Sequence, residues 1–162
     1  MLRTAEERFG VRDKDYSVLG IEFGESGPFI WYPGNCKNIA IQLSIGSMAS
    51  ERCALYELAH ECIHLLTPTG KGTANYLEEG LAVYFSWQYV KEVLNFDYKT
   101  VIQPEDYKRA GLLVEKLLNQ NPDFIRQARK FQNCISLMDH SVFEKVQHNL
   151  SKQEVNQLVL AF

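Results

Sequence analysis

The segment His60-Glu61-Cys62-Ile63-His64 places two imidazoles four residues apart, with a carboxylate directly after the first. In an α-helix, side chains four residues apart lie one turn apart on the same face, so both imidazoles can reach a single ion. Neutral imidazole is a good zinc ligand, and a catalytic zinc site keeps three protein ligands and one water. Glu61 lies beside the two histidines, where a carboxylate can take a proton from that water. The spacing therefore predicts half of a zinc site, with Glu61 as its general base.

A third ligand is expected from the segment that follows, which reads Asn-Tyr-Leu-Glu-Glu-Gly-Leu-Ala-Val-Tyr-Phe over residues 75–85. It carries Glu78 and Glu79 side by side, early in an otherwise apolar helical stretch. A carboxylate in such a position is costly to bury unless it is paired or bound to a metal. The segment therefore offers two candidates for the third ligand.

Together, the two motifs resemble the gluzincin metallopeptidases, in which an H-E-x-x-H helix is followed by a helix with a Glu-Gly-aromatic/Leu-Ala pattern. The resemblance covers about residues 49–85. It implies that the Glu immediately before the Gly, here Glu79, completes a site for one Zn²⁺ per chain, with Glu78 in the neighbouring, non-ligand place. Glu78, His140 and His148 remain as substitute ligands.

The resemblance also implies features outside the two motifs. The family uses a tyrosine or histidine to stabilise the oxyanion, and the candidates here are Tyr84, Tyr107, His140 and His148. An edge strand near the active-site helix binds extended substrate, and residues 39–47 are the candidate. The interval between His64 and Glu79 is shorter than in the large aminopeptidases with this pattern, and an exopeptidase-type substrate motif is not evident, so aminopeptidase specificity is not carried over.

Helical periodicity predicts the elements that would position these residues. Apolar residues recur at helical spacing from about Ser50 up to Pro68, and again from Asn75 to about Leu94. Small residues at Gly80 and Ala82 predict that the second of these helices approaches the first closely. Further helices are predicted near the N-terminus, at 104–118, at 121–130 and after the capping-box pattern at 151–154.

The N-terminal third predicts strands instead. Residues 16–23 and 29–32 are expected to form a hairpin, and residues 39–46 alternate as a half-buried strand does. The sequence thus predicts an α+β fold, with a small antiparallel N-terminal sheet followed by a mostly helical region. The resemblance implies a minimal zincin-like metallopeptidase fold. We expect one domain over 1–162, with a strand-rich part (1–47), a zinc-binding helix pair (48–95) and a helical C-terminal part (96–162).

Composition limits the class of partner. The 162 residues are 46% hydrophobic and carry a net charge of −3 without a Lys/Arg block, so no nucleic-acid partner is expected. The polar N-terminus does not predict a signal peptide, and no apolar run approaches membrane-spanning length, so we expect a cytoplasmic protein without a membrane partner. The four cysteines form no C-x-x-C pair and are expected to be buried small hydrophobes.

The resulting functional expectation is a zinc-dependent metallopeptidase that hydrolyses a peptide or protein substrate. A non-catalytic zincin-like module that binds a protein partner is the main alternative. A third, weaker possibility is an effector that cleaves one host protein. A small enzyme cannot enclose its site as large peptidases do, so we expect narrow specificity or a latent state.

Overall fold

The computed structural model describes residues 1–70, 72–101 and 103–162, which form seven α-helices and three strands. The predicted α+β class is confirmed. The helices are α1 (Leu2–Phe9), α2 (Glu51–His64), α3 (Tyr76–Leu94), α4 (Glu105–Gln120), α5 (Phe124–Ala128), α6 (His140–Phe143) and α7 (Lys152–Leu158). None of the described helices is both long and apolar enough to cross a membrane.

The sheet consists of β1 (Ser17–Gly24), β2 (Phe29–Trp31) and β3 (Asn38–Ser44), in the order β1-β3-β2. β3 runs parallel to β1 and antiparallel to β2. The sheet is therefore mixed, and the predictions of a β1–β2 hairpin and of a fully antiparallel sheet are wrong. β3 buries three apolar side chains on one face and takes the centre, where both of its edges are hydrogen-bonded.

The predicted third strand ends earlier than expected. β3 stops at Ser44, and Ile45–Ala49 forms a short 3₁₀ helix in place of the last strand residues. The hydroxyl of Ser47 donates to the carbonyl of Ser44 at 2.8 Å, which closes this turn. The chain thereby reverses from β3 into α2 within six residues, 45–50.

The buried face of β3 packs on α2. Ile39, Ile41 and Leu43 form an apolar cluster with Leu65, and Leu58 of α2 lies against it. A larger core lies on the other side of α2, between α2, α3 and the C-terminal helices. As a result α2 lies between the sheet and α3. The sheet packs against one side of α2, and the two histidines of α2 face α3.

Gly80 has a different neighbour from the one expected. A Cβ added at Gly80 would lie 2.5 Å from the carbonyl oxygen of Ala110 and 2.7 Å from Cγ2 of Val114, both in α4. The prediction that Gly80 lets α3 approach α2 is therefore wrong, because the residue permits close packing of α3 against α4. Gly111 faces Val83 of α3 in the same contact.

The remaining differences concern helix ends and cysteines. α2 ends at His64 and does not reach Pro68, and α5 is shorter than the predicted 121–130 helix. The Ser151–Glu154 capping box is present at the start of α7. Of the cysteines, Cys62 is buried as expected, whereas Cys36 is exposed, so that expectation is wrong for Cys36.

Candidate metal centre

Two side-chain contacts fix the start of α2. The Ser50 hydroxyl accepts a hydrogen bond from the backbone N–H of Cys53 at 3.3 Å, which caps the helix. One turn later, the carboxylate of Glu57 accepts hydrogen bonds from the backbone N–H of Ser44 at 2.8 Å and from its hydroxyl at 2.5 Å. α2 is thus tied to the end of β3. Its geometry then brings the ring centroids of His60 and His64 to 5.1 Å.

The start of α3 is held by the buried side chain of Asn75. The Asn75 side-chain oxygen accepts a hydrogen bond from the backbone N–H of Glu78 at 2.9 Å, and its amide nitrogen donates to the carbonyl of Ile135 at 3.1 Å. The cap therefore joins α3 to the C-terminal part of the chain. It also fixes the first turn of α3, in which Glu78 and Glu79 lie.

Glu79 meets both histidines of α2. Its Oε2 lies 3.1 Å from Nε2 of His60, and its Oε1 lies 3.5 Å from Nε2 of His64. One ligand atom from each of the three residues can be chosen so that all lie within 4.8 Å of one another. Two imidazole nitrogens and one carboxylate are a donor set of the kind that binds divalent metals. This cluster could hold a metal ion.

Glu78 takes a supporting position. Its Oε1 lies 2.8 Å from Nδ1 of His64, on the opposite side of the ring from Glu79. A carboxylate at Nδ1 favours the tautomer with its proton on that nitrogen, which leaves Nε2 free for an ion. Glu78 therefore orients His64 and does not replace Glu79 in the cluster.

The charges around the cluster favour a cation. Burial alone would lower the pKa of His64, but the hydrogen bond with Glu78 and the charges of Glu79, Glu78 and Glu61 raise it to about 10. Burial would raise the pKa of Glu79, yet the hydrogen bond from His60 and the charges of His64 and His60 lower it. The direction of both shifts shows that the carboxylates around His60 and His64 stabilise positive charge at this place. A divalent ion between the three donors would be stabilised by the same charges.

Glu61 is the most buried carboxylate of the site, with 3% of the residue exposed. Burial raises its pKa, and the charges of His64 and His60 oppose that shift. A carboxylate with a raised pKa is a better base toward water than an exposed one. Glu61 also lines the cavity next to the two histidines.

A cavity of about 240 Å³ opens over the cluster. Its wall includes Pro28, Phe29 and Tyr32 on the sheet side and Tyr107 of α4 on the other. The ring centroid of Tyr107 lies 6.0 Å from that of His60. Burial, followed by the charges of Glu79 and Glu61, raises the pKa of Tyr107, so its hydroxyl remains a hydrogen-bond donor.

The other predicted oxyanion and substitute-ligand residues lie elsewhere. Tyr84 lines a separate cavity together with Arg8 and Glu92. His140 is exposed and hydrogen-bonded to Asn156 at 2.7 Å. His148 packs against the rings of Phe124 and Phe143. Of the four candidates, only Tyr107 lines the cavity over the cluster.

The strand prediction for substrate binding also needs correction. Residues 38–44 form the central strand, with both edges paired, so the candidate strand 39–47 cannot add an extended peptide. The edge strand beside the cluster is β2, whose Phe29 and Ile30 line the cavity. Tyr32, which follows β2, also lines the cavity, and its hydroxyl accepts a hydrogen bond from the backbone N–H of Gly70 at 3.1 Å. Neither β2 nor Tyr32 was predicted to belong to the site. No local sequence pattern identifies these residues as part of a site, because their position over the cluster depends on how the sheet packs on α2.

Models of known protein families, curated proteins and solved structures were compared with the chain, and none of them matches it.

Proposed function

We propose that this chain is a zinc-dependent peptidase of the gluzincin type, in which His60, His64 and Glu79 hold the ion. The observation that carries the proposal is the approach of Glu79 to Nε2 of both histidines, next to the buried carboxylate of Glu61. Zinc is the expected ion because two imidazoles and one carboxylate are a recurrent catalytic zinc donor set.

Each residue has a proposed part in the reaction. A zinc ion held by His60, His64 and Glu79 would supply Lewis acidity, which lowers the pKa of water and polarises a carbonyl group. Glu61 takes the proton of the attacking water on a carboxylate oxygen and gives it to the leaving nitrogen of the peptide. The hydroxyl of Tyr107 donates a hydrogen bond to the carbonyl oxygen of the substrate as negative charge develops there. β2 offers its free edge to the extended backbone of the substrate.

The direct test of the chemistry is Glu61→Gln. This variant keeps the shape of the side chain and all three proposed ligands but removes the base, so it is expected to bind zinc as the wild type does and to lose turnover. Glu51→Gln, an exposed carboxylate in the first turn of the same helix, is the matched control and is expected to keep full activity. Cleavage of a peptide library is measured by mass spectrometry. Wild-type turnover by Glu61→Gln would refute the role assigned to Glu61.

A second candidate function is a non-catalytic module that binds a protein partner. It is favoured by exposed apolar side chains on β1 and on the 3₁₀ helix that follows β3. Ile21 and Phe23 of β1 are 52% and 42% exposed, and Ile45 and Met48 of the 3₁₀ helix are 52% and 62% exposed. Contiguous exposed apolar surface is typical of interaction sites. Capture of a partner that stays uncut, together with no cleavage of any library peptide by the zinc-loaded protein, would favour this function over the peptidase.

A further inference from the structure

A second cavity, of about 330 Å³, opens beside the metal cluster. We call it the aromatic cavity and define it by Tyr56, Tyr98, Val101, Gln103 and Pro104. Its volume lies within the range of pockets that hold small ligands, about 300–1,000 Å³. Four residues line both this cavity and the one over the cluster, namely Pro28, His60, Glu61 and Tyr107. A group in the aromatic cavity would therefore be adjacent to the proposed ligand His60 and the proposed base Glu61.

The walls of the aromatic cavity are mainly rings and apolar side chains. Tyr56 and Tyr98 are stacked, with ring centroids 4.2 Å apart and an interplanar angle of 15°. Val101 and Pro104 add aliphatic surface, and Tyr107 closes the side toward the cluster. Aromatic rings pack well against other rings, in offset or edge-to-face arrangements.

The polar groups that line the aromatic cavity on the side away from the metal cluster already have partners within the protein. The hydroxyl of Tyr56 donates to Oε1 of Gln103 at 3.3 Å, and Nε2 of Gln103 donates to the backbone carbonyl of Tyr98 at 3.1 Å. The hydroxyl of Tyr98 contacts Sγ of Cys53 at 3.6 Å. The Glu57 carboxylate is engaged by Ser44. A charged group that reaches the side of the cavity away from the cluster would lose its water and gain few hydrogen bonds, which disfavours it.

We infer that the aromatic cavity is a specificity pocket that takes a phenylalanine or tyrosine side chain of the substrate, next to the peptide bond to be cut. The inference rests on the proposed function for the position of that bond. The choice of side chain rests on the cavity itself, through its stacked rings, its aliphatic lining and the satisfied polar groups on the side away from the cluster. The chain is thus a peptidase selective for aromatic residues and not for basic or acidic ones.

Binding of small probes tests the pocket without requiring turnover. N-acetylated amides of phenylalanine, leucine, lysine and glutamate are titrated into the ¹⁵N-labelled, zinc-loaded protein. The phenylalanine probe is expected to bind at least about tenfold more tightly than the lysine and glutamate probes, and more tightly than the leucine probe. The largest changes in amide chemical shift are expected at Tyr98 and Val101. Equal binding of a charged probe, tighter binding of leucine, or shifts remote from the cavity would overturn the inference.

A cavity-filling variant supplies the matched control. Val101→Trp is expected to weaken the phenylalanine probe about tenfold or more and to leave zinc content unchanged. Val93→Trp makes the same change on the exposed surface of α3 and is expected to bind as the wild type does. If circular dichroism shows that Val101→Trp does not fold, Val101→Ala is tested instead with an added N-acetylated tryptophan amide, and its preference should shift from phenylalanine toward tryptophan. Unchanged probe binding in a folded Val101→Trp, or an unchanged preference in Val101→Ala, would contradict the assignment.

Cleavage data separate this inference from the proposed function. If the protein cuts no peptide but still prefers the phenylalanine probe at the cavity, the peptidase proposal fails and the pocket assignment stands. If the protein cuts peptides mainly beside lysine or glutamate, the peptidase proposal stands and the pocket assignment fails.

Discussion

At the scale of single residues, sequence spacing identified half of the centre directly. His60, Glu61 and His64 follow from helical geometry, because their spacing alone places them on adjoining positions of one helix. Glu79 could be selected over Glu78 only through a resemblance, and the structure adds the reason, since the two carboxylates meet different nitrogens of His64. Tyr107 could not be selected by sequence, because its nearness to His60 depends on how α4 packs.

Glu78 is expected to support zinc binding through His64. Glu78→Ala removes the acceptor at Nδ1 and should raise the dissociation constant for zinc about 10- to 100-fold. Affinity is measured by competition with a chromophoric chelator, and folding by circular dichroism. Glu92→Ala removes an acid from the exposed end of the same helix and should leave zinc affinity unchanged. Wild-type affinity in folded Glu78→Ala would show that His64 does not need this contact.

Tyr107 is expected to act on the transition state and not on the metal. Tyr107→Phe should lower kcat by about 10²- to 10³-fold, as loss of an oxyanion donor does, while zinc content stays the same. Tyr84→Phe serves as the control because Tyr84 lines a different cavity. Steady-state kinetics on a cleaved library peptide provide the measurement. A variant that raises KM with normal kcat would place Tyr107 in substrate binding only.

At the scale of elements, local periodicity predicted the helices better than the sheet. α3 and α4 start and end close to the predicted residues, and α7 starts at the predicted capping box, since helical spacing and caps are local signals. Strand order is not local, and a turn signal between β1 and β2 gave no information that β3 would insert between them. The wrong prediction at Gly80 has the same cause, because a small residue indicates that another helix packs closely but does not indicate which helix it is.

The contact between α3 and α4 can be tested at Gly80. Gly80→Ala forces a Cβ against Ala110 and Val114, and is expected to lower the free energy of unfolding by about 1–3 kcal/mol, the usual cost of overpacking. Gly46→Ala is the control, because a Cβ there meets no atom within 4 Å and is expected to be neutral or slightly stabilising. Both are measured by urea unfolding. Equal stability of the two variants would contradict the close packing.

At the scale of the whole molecule, the centre joins parts of the chain that are distant in sequence. α2 is fastened to the sheet through Glu57, and α3 is fastened to the C-terminal part through Asn75. The three proposed ligands lie where these two helices meet, so an ion bound there would link both parts. A ligand that binds only the folded form stabilises that form, so zinc is expected to raise the melting temperature of the protein.

The metal-free protein is expected to lose stability as pH rises. His64 has a folded pKa of about 10 against an ordinary value of 6.5, so its stabilising charge is fully present below about pH 6.5 and is lost as pH rises through about 10. The raised pKa of Glu61 acts in the same direction. Unfolding by urea in excess chelator at several pH values measures the effect. His64→Gln should flatten this decline, and an identical decline in both proteins would contradict the assignment.

The account depends most directly on one ion bound by His60, His64 and Glu79. The decisive measurement is elemental analysis of the wild type beside His60→Ala and Glu79→Ala after equilibration with zinc and removal of the excess, with His140→Ala as the control because His140 lies away from the cluster. The wild type and the control are expected to retain one zinc per chain, and the two ligand variants to retain little or none. A wild type that retains no zinc, or ligand variants that retain as much as the wild type, would contradict the central claim.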